Sequence, residues 1–147
     1  MTKENKIMMK QTTRFGAIIM MFVAVSALAD PSKKEGEAIE AAKSWLALID
    51  QEKYADGWNE ASGYFKKAVK QEQLEYTMKG VRQPLGKMLT REVKKSTYQA
   101  SLPGAPDGEY VIIEFNTSFE NKKQAVESIT PMLEKDGQWR VAGYFIK

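Results

Sequence analysis

The chain predicts an α+β fold, with N-terminal helices packed on one face of a four-stranded antiparallel sheet. Three observations carry this. Apolar residues recur at three-and-four spacing from Ala38 to Leu85. From about Thr90 the period drops to two, in segments rich in Val, Ile, Phe and Tyr. Turn signals, above all Asp136-Gly137, join those segments at hairpin distances.

The elements follow in order. Asp30-Pro31-Ser32 precedes a helix, and Ser32 with Glu35 fits a capping box. Ala38, Ala41, Ala42, Trp45, Leu46 and Ile49 form its apolar stripe, which Asp50-Gln51-Glu52-Lys53 breaks. A second helical piece aligns Tyr54, Trp58, Ala61, Phe65, Ala68 and Val69, and Gly57 and Gly63 should bend or shorten it. Leu74, Met78, Val81 and Leu85 mark a third helix that ends near Pro84-Leu85-Gly86. Strands are expected over about 90–102, 109–119, 125–133 and 138–146. Leu102–Gly108 is a turn-rich connection, and Glu120–Lys123 reads as a hairpin loop. Pro131 argues for an edge, a bulge or a local break in the third strand.

A two-residue turn at Asp136-Gly137 would pair Met132 with Val141, Thr130 with Gly143 and Ser128 with Phe145. A symmetric Asn121 loop would pair Phe119 with Gln124, Phe115 with Ser128 and Ile113 with Thr130. Alternation then sends Val111, Ile113, Phe115, Thr117, Phe119, Val126, Ser128, Thr130, Met132, Trp139, Val141 and Phe145 toward the helices. That face carries no charge. Tyr110, Ile112, Glu114, Asn116, Ser118, Glu127, Ile129, Leu133, Arg140, Ala142, Tyr144 and Ile146 are expected on the other face.

Residues 1–29 read as a secretory signal peptide. Lys3, Lys6, Lys10 and Arg14 precede an apolar run from Phe15 to Leu28, and Ala27-Leu28-Ala29 offers an A-x-A cleavage site after Ala29. The run is about 14 residues, short of the roughly 20 that span a bilayer, so no stable membrane anchor is expected after cleavage. Met8 or Met9 as the start would leave the reading intact. Residues 30–147 then form one domain in the periplasm or outside the cell. The chain has 22 Lys+Arg and 19 Asp+Glu; without the leader 18 of each remain. The basic balance therefore belongs to the leader and does not point to nucleic acid. The chain has no cysteine and no histidine. Ser-His-Asp and Cys-His catalysis are excluded, as are His-based metal sites. No cofactor is expected.

Trp45-Leu46-Ala47-Leu48-Ile49-Asp50, Tyr54-Ala55-Asp56-Gly57-Trp58, Leu102–Val111, Thr117–Lys123 and Asp136–Tyr144 occur together. In this combination the chain resembles the bacterial domain-of-unknown-function family 4019 over nearly all of residues 30–147. The resemblance implies a cystatin-like or nuclear-transport-factor-like cone, a curved sheet around a helix. It implies no activity and no catalytic residues.

The functional expectation is an exported, non-catalytic domain that binds a protein partner or a small apolar ligand and dimerises through its sheet. Tyr64, Phe115, Ser128, Thr130 and Trp139 are the candidate ligand-binding residues, and Tyr110, Glu114, Glu127, Arg140 and Tyr144 the candidate interface. Trp45, Trp58 and Trp139 fit either a cavity wall or core packing. Tyr110, Ile112, Ile129, Leu133, Tyr144 and Ile146 would make an apolar patch on a face without helices. The alternative is a small cone-fold isomerase or hydratase that uses Tyr and carboxylate groups.

Overall fold

The structure, a computed structural model, describes residues 30–147. The expected signal peptide and its cleavage site lie outside the described residues. Among the described residues four α-helices and a 3-10 turn (Gln83–Leu85) precede four strands: α1 Pro31–Asp50, α2 Tyr54–Glu60, α3 Gly63–Ala68, α4 Gln71–Arg82, then β1 Met88–Gln99, β2 Tyr110–Phe119, β3 Lys122–Leu133 and β4 Trp139–Ile146. The strands pair antiparallel in chain order, as a meander. The α+β architecture is the expected one.

Local chemistry sets the boundaries. Asp30, not Ser32, caps α1: its carboxylate accepts the Ser32 N–H at 3.0 Å, and Pro31 takes the first helical position, where a missing N–H costs nothing. The second helical piece divides at Ala61-Ser62, with Gly63 opening α3 and Gly57 lying inside α2. Gly57 also permits close approach of α2 to α1, since a Cβ there would sit 2.9 Å from Ile49 Cδ1. Trp45 seals that contact by donating to the Gly57 carbonyl at 2.7 Å, and Trp58 donates to the Val69 carbonyl at 2.8 Å.

The core forms where Ala38, Ala42, Trp45, Leu46 and Ile49 of α1 meet Val111, Ile113, Phe115, Ile129 and Val141 of the sheet. Each large apolar side chain buried here contributes roughly 1.5–3 kcal/mol. At the start of α1, Glu35 accepts from Ser96 Oγ and the Tyr98 N–H, and Lys34 pairs with Glu109. The helix is thereby clamped across β1 and β2.

The two hairpins differ from the expected register, and both differences have local causes. The β2–β3 turn is two residues, because the Glu120 and Asn121 N–H groups donate to the Lys87 and Leu85 carbonyls and hold the tip short. With an irregularity between Thr117 and Phe119, the net result is a slip of one: Phe115 faces Glu127, and Ser128 faces Glu114. A one-residue slip moves every β3 side chain to the opposite face. The β3–β4 turn has three residues, closed by Glu134 N–H and Gln138 carbonyl at 2.9 Å, with Gly137 at φ 81. Val141 therefore faces Pro131, not Met132. An irregularity between Thr130 and Pro131 then restores the expected pairs Thr130–Gly143 and Ser128–Phe145.

These shifts correct the face assignment. Glu127, Ile129 and Leu133 lie on the helix side with Tyr144, while Val126, Ser128, Thr130 and Met132 lie on the outer side. Phe145 is 57% exposed on the outer side. The helix side is thus not free of charge. Of the six residues expected to form an outer apolar patch, Ile129, Leu133, Tyr144 and Ile146 pair on the helix side. Tyr110 does lie outside, but it is 1% exposed and its hydroxyl donates to the Pro106 carbonyl at 2.6 Å. The 102–108 loop therefore covers part of that face.

Candidate functional site

A charged cluster beneath the helices joins the ends of α1 and α4 to all four strands. Glu127 on β3 is fully buried. Its Oε2 accepts from Arg91 Nε at 2.6 Å and from Thr117 Oγ1 at 2.6 Å. Its Oε1 accepts from the Tyr144 hydroxyl at 2.7 Å and from Arg91 Nη2 at 3.1 Å. Four donors saturate the carboxylate's four acceptor positions.

Asp50 closes the cluster from the end of α1. It accepts from Arg91 Nη1 at 2.7 Å and Nη2 at 3.0 Å, and from Arg82 Nη2 at 2.5 Å. A carboxylate at a helix C-terminus opposes the helix dipole, and the two guanidinium groups more than offset it. Arg82, at the favourable end of α4, also lies 5.0 Å from the Phe119 ring centre and 3.9 Å from Glu127. Two arginines and two carboxylates make the cluster formally neutral. A buried set of charges persists only when paired in this way.

The protonation states follow from the same contacts. Burial alone would raise the Asp50 pKa, but hydrogen bonds from Arg91 and Arg82 outweigh it and hold the group below its ordinary value. For Arg91, burial is likewise outweighed by Asp50 and Glu127, so its pKa rises. Burial, then the Glu127 charge, pushes the Tyr144 pKa up, so the phenol stays protonated and donates.

Clefts lie around this frame. One of about 590 Å³ opens between α3, the 102–108 loop and the β3–β4 hairpin, with Tyr64, Pro106, Met132 and Leu133 among its walls. A second, of about 350 Å³, runs between α1 and β4 past Trp45, Leu48 and Trp139. A third, of about 200 Å³, lies beside Asp50 and Arg82.

The candidate ligand-binding residues are not brought together. Tyr64 lines the 590 Å³ cleft and Trp139 the 350 Å³ cleft. Phe115 is fully buried core, whereas Ser128 and Thr130 lie on the outer face. Among the interface candidates, Glu114 lies outside near Lys94 at 3.4 Å, and Arg140 pairs with Glu134 and Asp136. Tyr110 is under its loop. Glu127 and Tyr144 are brought together, but as bonded partners inside. Asp50, Arg82 and Arg91 escaped the sequence reading. A signal existed: Arg82 continues the Leu74, Met78 spacing by one more turn, and Asp50 sits one turn beyond Leu46.

Comparisons with curated proteins and with solved structures return no match. The family described as "Protein of unknown function (DUF4019)" matches residues 41–144. That span takes in every member of the buried cluster, and the chain belongs to this family.

Proposed function

We propose that the chain is an exported, non-catalytic binding domain that takes a small apolar ligand in the cleft beside Tyr64. The observation that carries this reading is the cleft itself. Its volume of about 590 Å³ falls within the roughly 300–1,000 Å³ typical of small-molecule sites. Tyr64, Pro106, Met132 and Leu133 supply apolar surface, and Lys67, Asp107, Lys135 and Asp136 add charge around it. The signal-like pattern of residues 1–29 supports export.

The closed cluster supports the non-catalytic part. The Tyr-and-carboxylate enzyme reading would find its pairs in Tyr98 with Glu109, whose carboxylate is tied to Lys34, and in Tyr144 with Glu127. Glu127 has no acceptor position left, and Tyr144 is held protonated, so neither is poised to exchange a proton with a substrate.

The test is titration with the apolar fluorophore anilinonaphthalene sulfonate, paired with native mass spectrometry of protein from its own host. Saturable binding is expected, weakened about tenfold by Tyr64→Ser and unchanged by Phe145→Ser. Binding indifferent to Tyr64→Ser would contradict the assignment. A second reading, pairing of two copies through the outer face, draws on exposed Phe145 beside Val126. Sedimentation of Phe145→Glu tests it: a dimer that becomes a monomer supports it, and an unchanged mass opposes it.

A further inference from the structure

The outer face of the sheet carries a polar cleft of about 660 Å³, reaching from β1 to the residue after β4. Its floor follows the strand register. Glu92 pairs with Asn116, and Asn116 with Val126. Val126 and Lys147 exchange backbone hydrogen bonds at 2.8 and 3.0 Å. These four residues form one row across the sheet, about 14 Å long at roughly 4.7–4.9 Å per strand step. Thr90 and Ser118 pair in the next row, with Lys123 and Gln124 beside them on the cleft wall. The pairing is irregular between Met88 and Thr90 and again between Thr117 and Phe119, both at this end of the sheet. Such irregularities bend and twist a strand, which hollows the face here.

The cleft side chains are free to meet a ligand. Neighbouring polar groups are committed, Thr117 to Glu127 and Lys94 to Glu114. Among the described residues the side chains of Glu92, Asn116, Ser118 and Gln124 make no hydrogen bond, and Lys123 and Lys147 form no ion pair. All but Ser118 are exposed, so a molecule in the cleft can reach them. Phe145 stands at the rim. It is 57% exposed, and the Lys147 ammonium lies 6.0 Å from its ring centre.

This chemistry selects the ligand class. An apolar molecule would strip water from amides and charges without pairing them. A carboxylate or phosphate alone accepts but does not donate, and it would meet Glu92. Neighbouring sugar hydroxyls donate and accept at once, so they pair with both amides and with Glu92. The negative face of an aromatic ring suits the C–H face of a sugar ring. The two unpaired lysines, against one unpaired glutamate, add a place for acidic groups.

We infer that this cleft binds an acidic oligosaccharide. Sugar hydroxyls pair with Glu92, Asn116 and Gln124, carboxylates meet Lys123 and Lys147, and a ring face rests on Phe145. The site is separate from the Tyr64 cleft and does not depend on it.

Titration of the isotope-labelled protein with digalacturonate, lactose and glutarate, followed by amide chemical shifts, tests this. Digalacturonate should give saturable shifts at residues 90–92, 116–118, 123–126 and 145–147. Lactose keeps the hydroxyls and should bind about tenfold more weakly; glutarate keeps only the carboxylates and should not saturate. Asn116→Ala and Phe145→Ser should each weaken digalacturonate about tenfold. Lys123→Gln should weaken digalacturonate but not lactose, and Tyr64→Ser should leave both intact. These side chains are exposed, so each variant should keep its melting temperature. The inference fails if digalacturonate gives no saturable shift at millimolar concentration, if glutarate binds as tightly, if the shifts gather at the Tyr64 cleft, or if Asn116→Ala binds unchanged. A dimer through Phe145 that excludes the sugar would also overturn it.

Discussion

Tyr144 on β4 donates its phenolic hydrogen to Glu127 on β3 across 2.7 Å, beneath the helical layer. Glu127 also carries Arg91 and Thr117, so its loss strands several buried donors at once. Glu127→Gln is expected to cost about 3–5 kcal/mol in urea unfolding, because breaking a buried ion pair leaves charge uncompensated. Glu114→Gln, one residue off on the outer face of β2, should stay within about 0.5 kcal/mol. The contrast distinguishes the two faces of the sheet.

Acid should loosen the cluster through Asp50. Its pKa is depressed in the folded chain from an ordinary 3.8, so the unfolded chain binds the proton first as pH falls. The stabilisation is complete above the ordinary value and is lost as pH drops through the depressed folded value. Urea midpoints should therefore hold from pH 7 to about 5 and fall below about pH 4. Asp50→Asn should be less stable at pH 7 and show a shallower acid limb.

Gly86→Ala and Gly80→Ala should have opposite signs. Gly86 has a left-handed backbone and Glu120 packed against it, so alanine should cost about 1–2 kcal/mol or more. Gly80 is exposed within α4 with nothing within 4 Å of a Cβ, so alanine should add about 0.5–1 kcal/mol. Thermal unfolding of the two variants checks both directions.

The order of helices and strands was legible because apolar spacing reports burial directly. Leu46 and Ile49, or Ile113 and Phe115, have only one sensible side to face. The pairing of strands was not, because it depends on contacts distant in sequence. The carbonyls of Leu85 and Lys87 shorten the β2–β3 turn, and nothing near Asn121 announces them. That slip alone carries Glu127 from solvent to interior. Alternation places a carboxylate outward by default, and Arg91, with the Thr117 and Tyr144 hydroxyls, makes the inward position tolerable. The Tyr64 cleft was visible only as one residue, since Pro106 and Leu133 reach it from separate loops and strands.

The central claim is that Glu127 and Tyr144 act as one unit inside the domain. A double-mutant cycle of Glu127→Gln and Tyr144→Phe, read by urea unfolding at neutral pH, measures this most directly. A coupling of about 1 kcal/mol or more is expected for bonded neighbours. Additivity within about 0.3–0.5 kcal/mol would place the two side chains apart and contradict it.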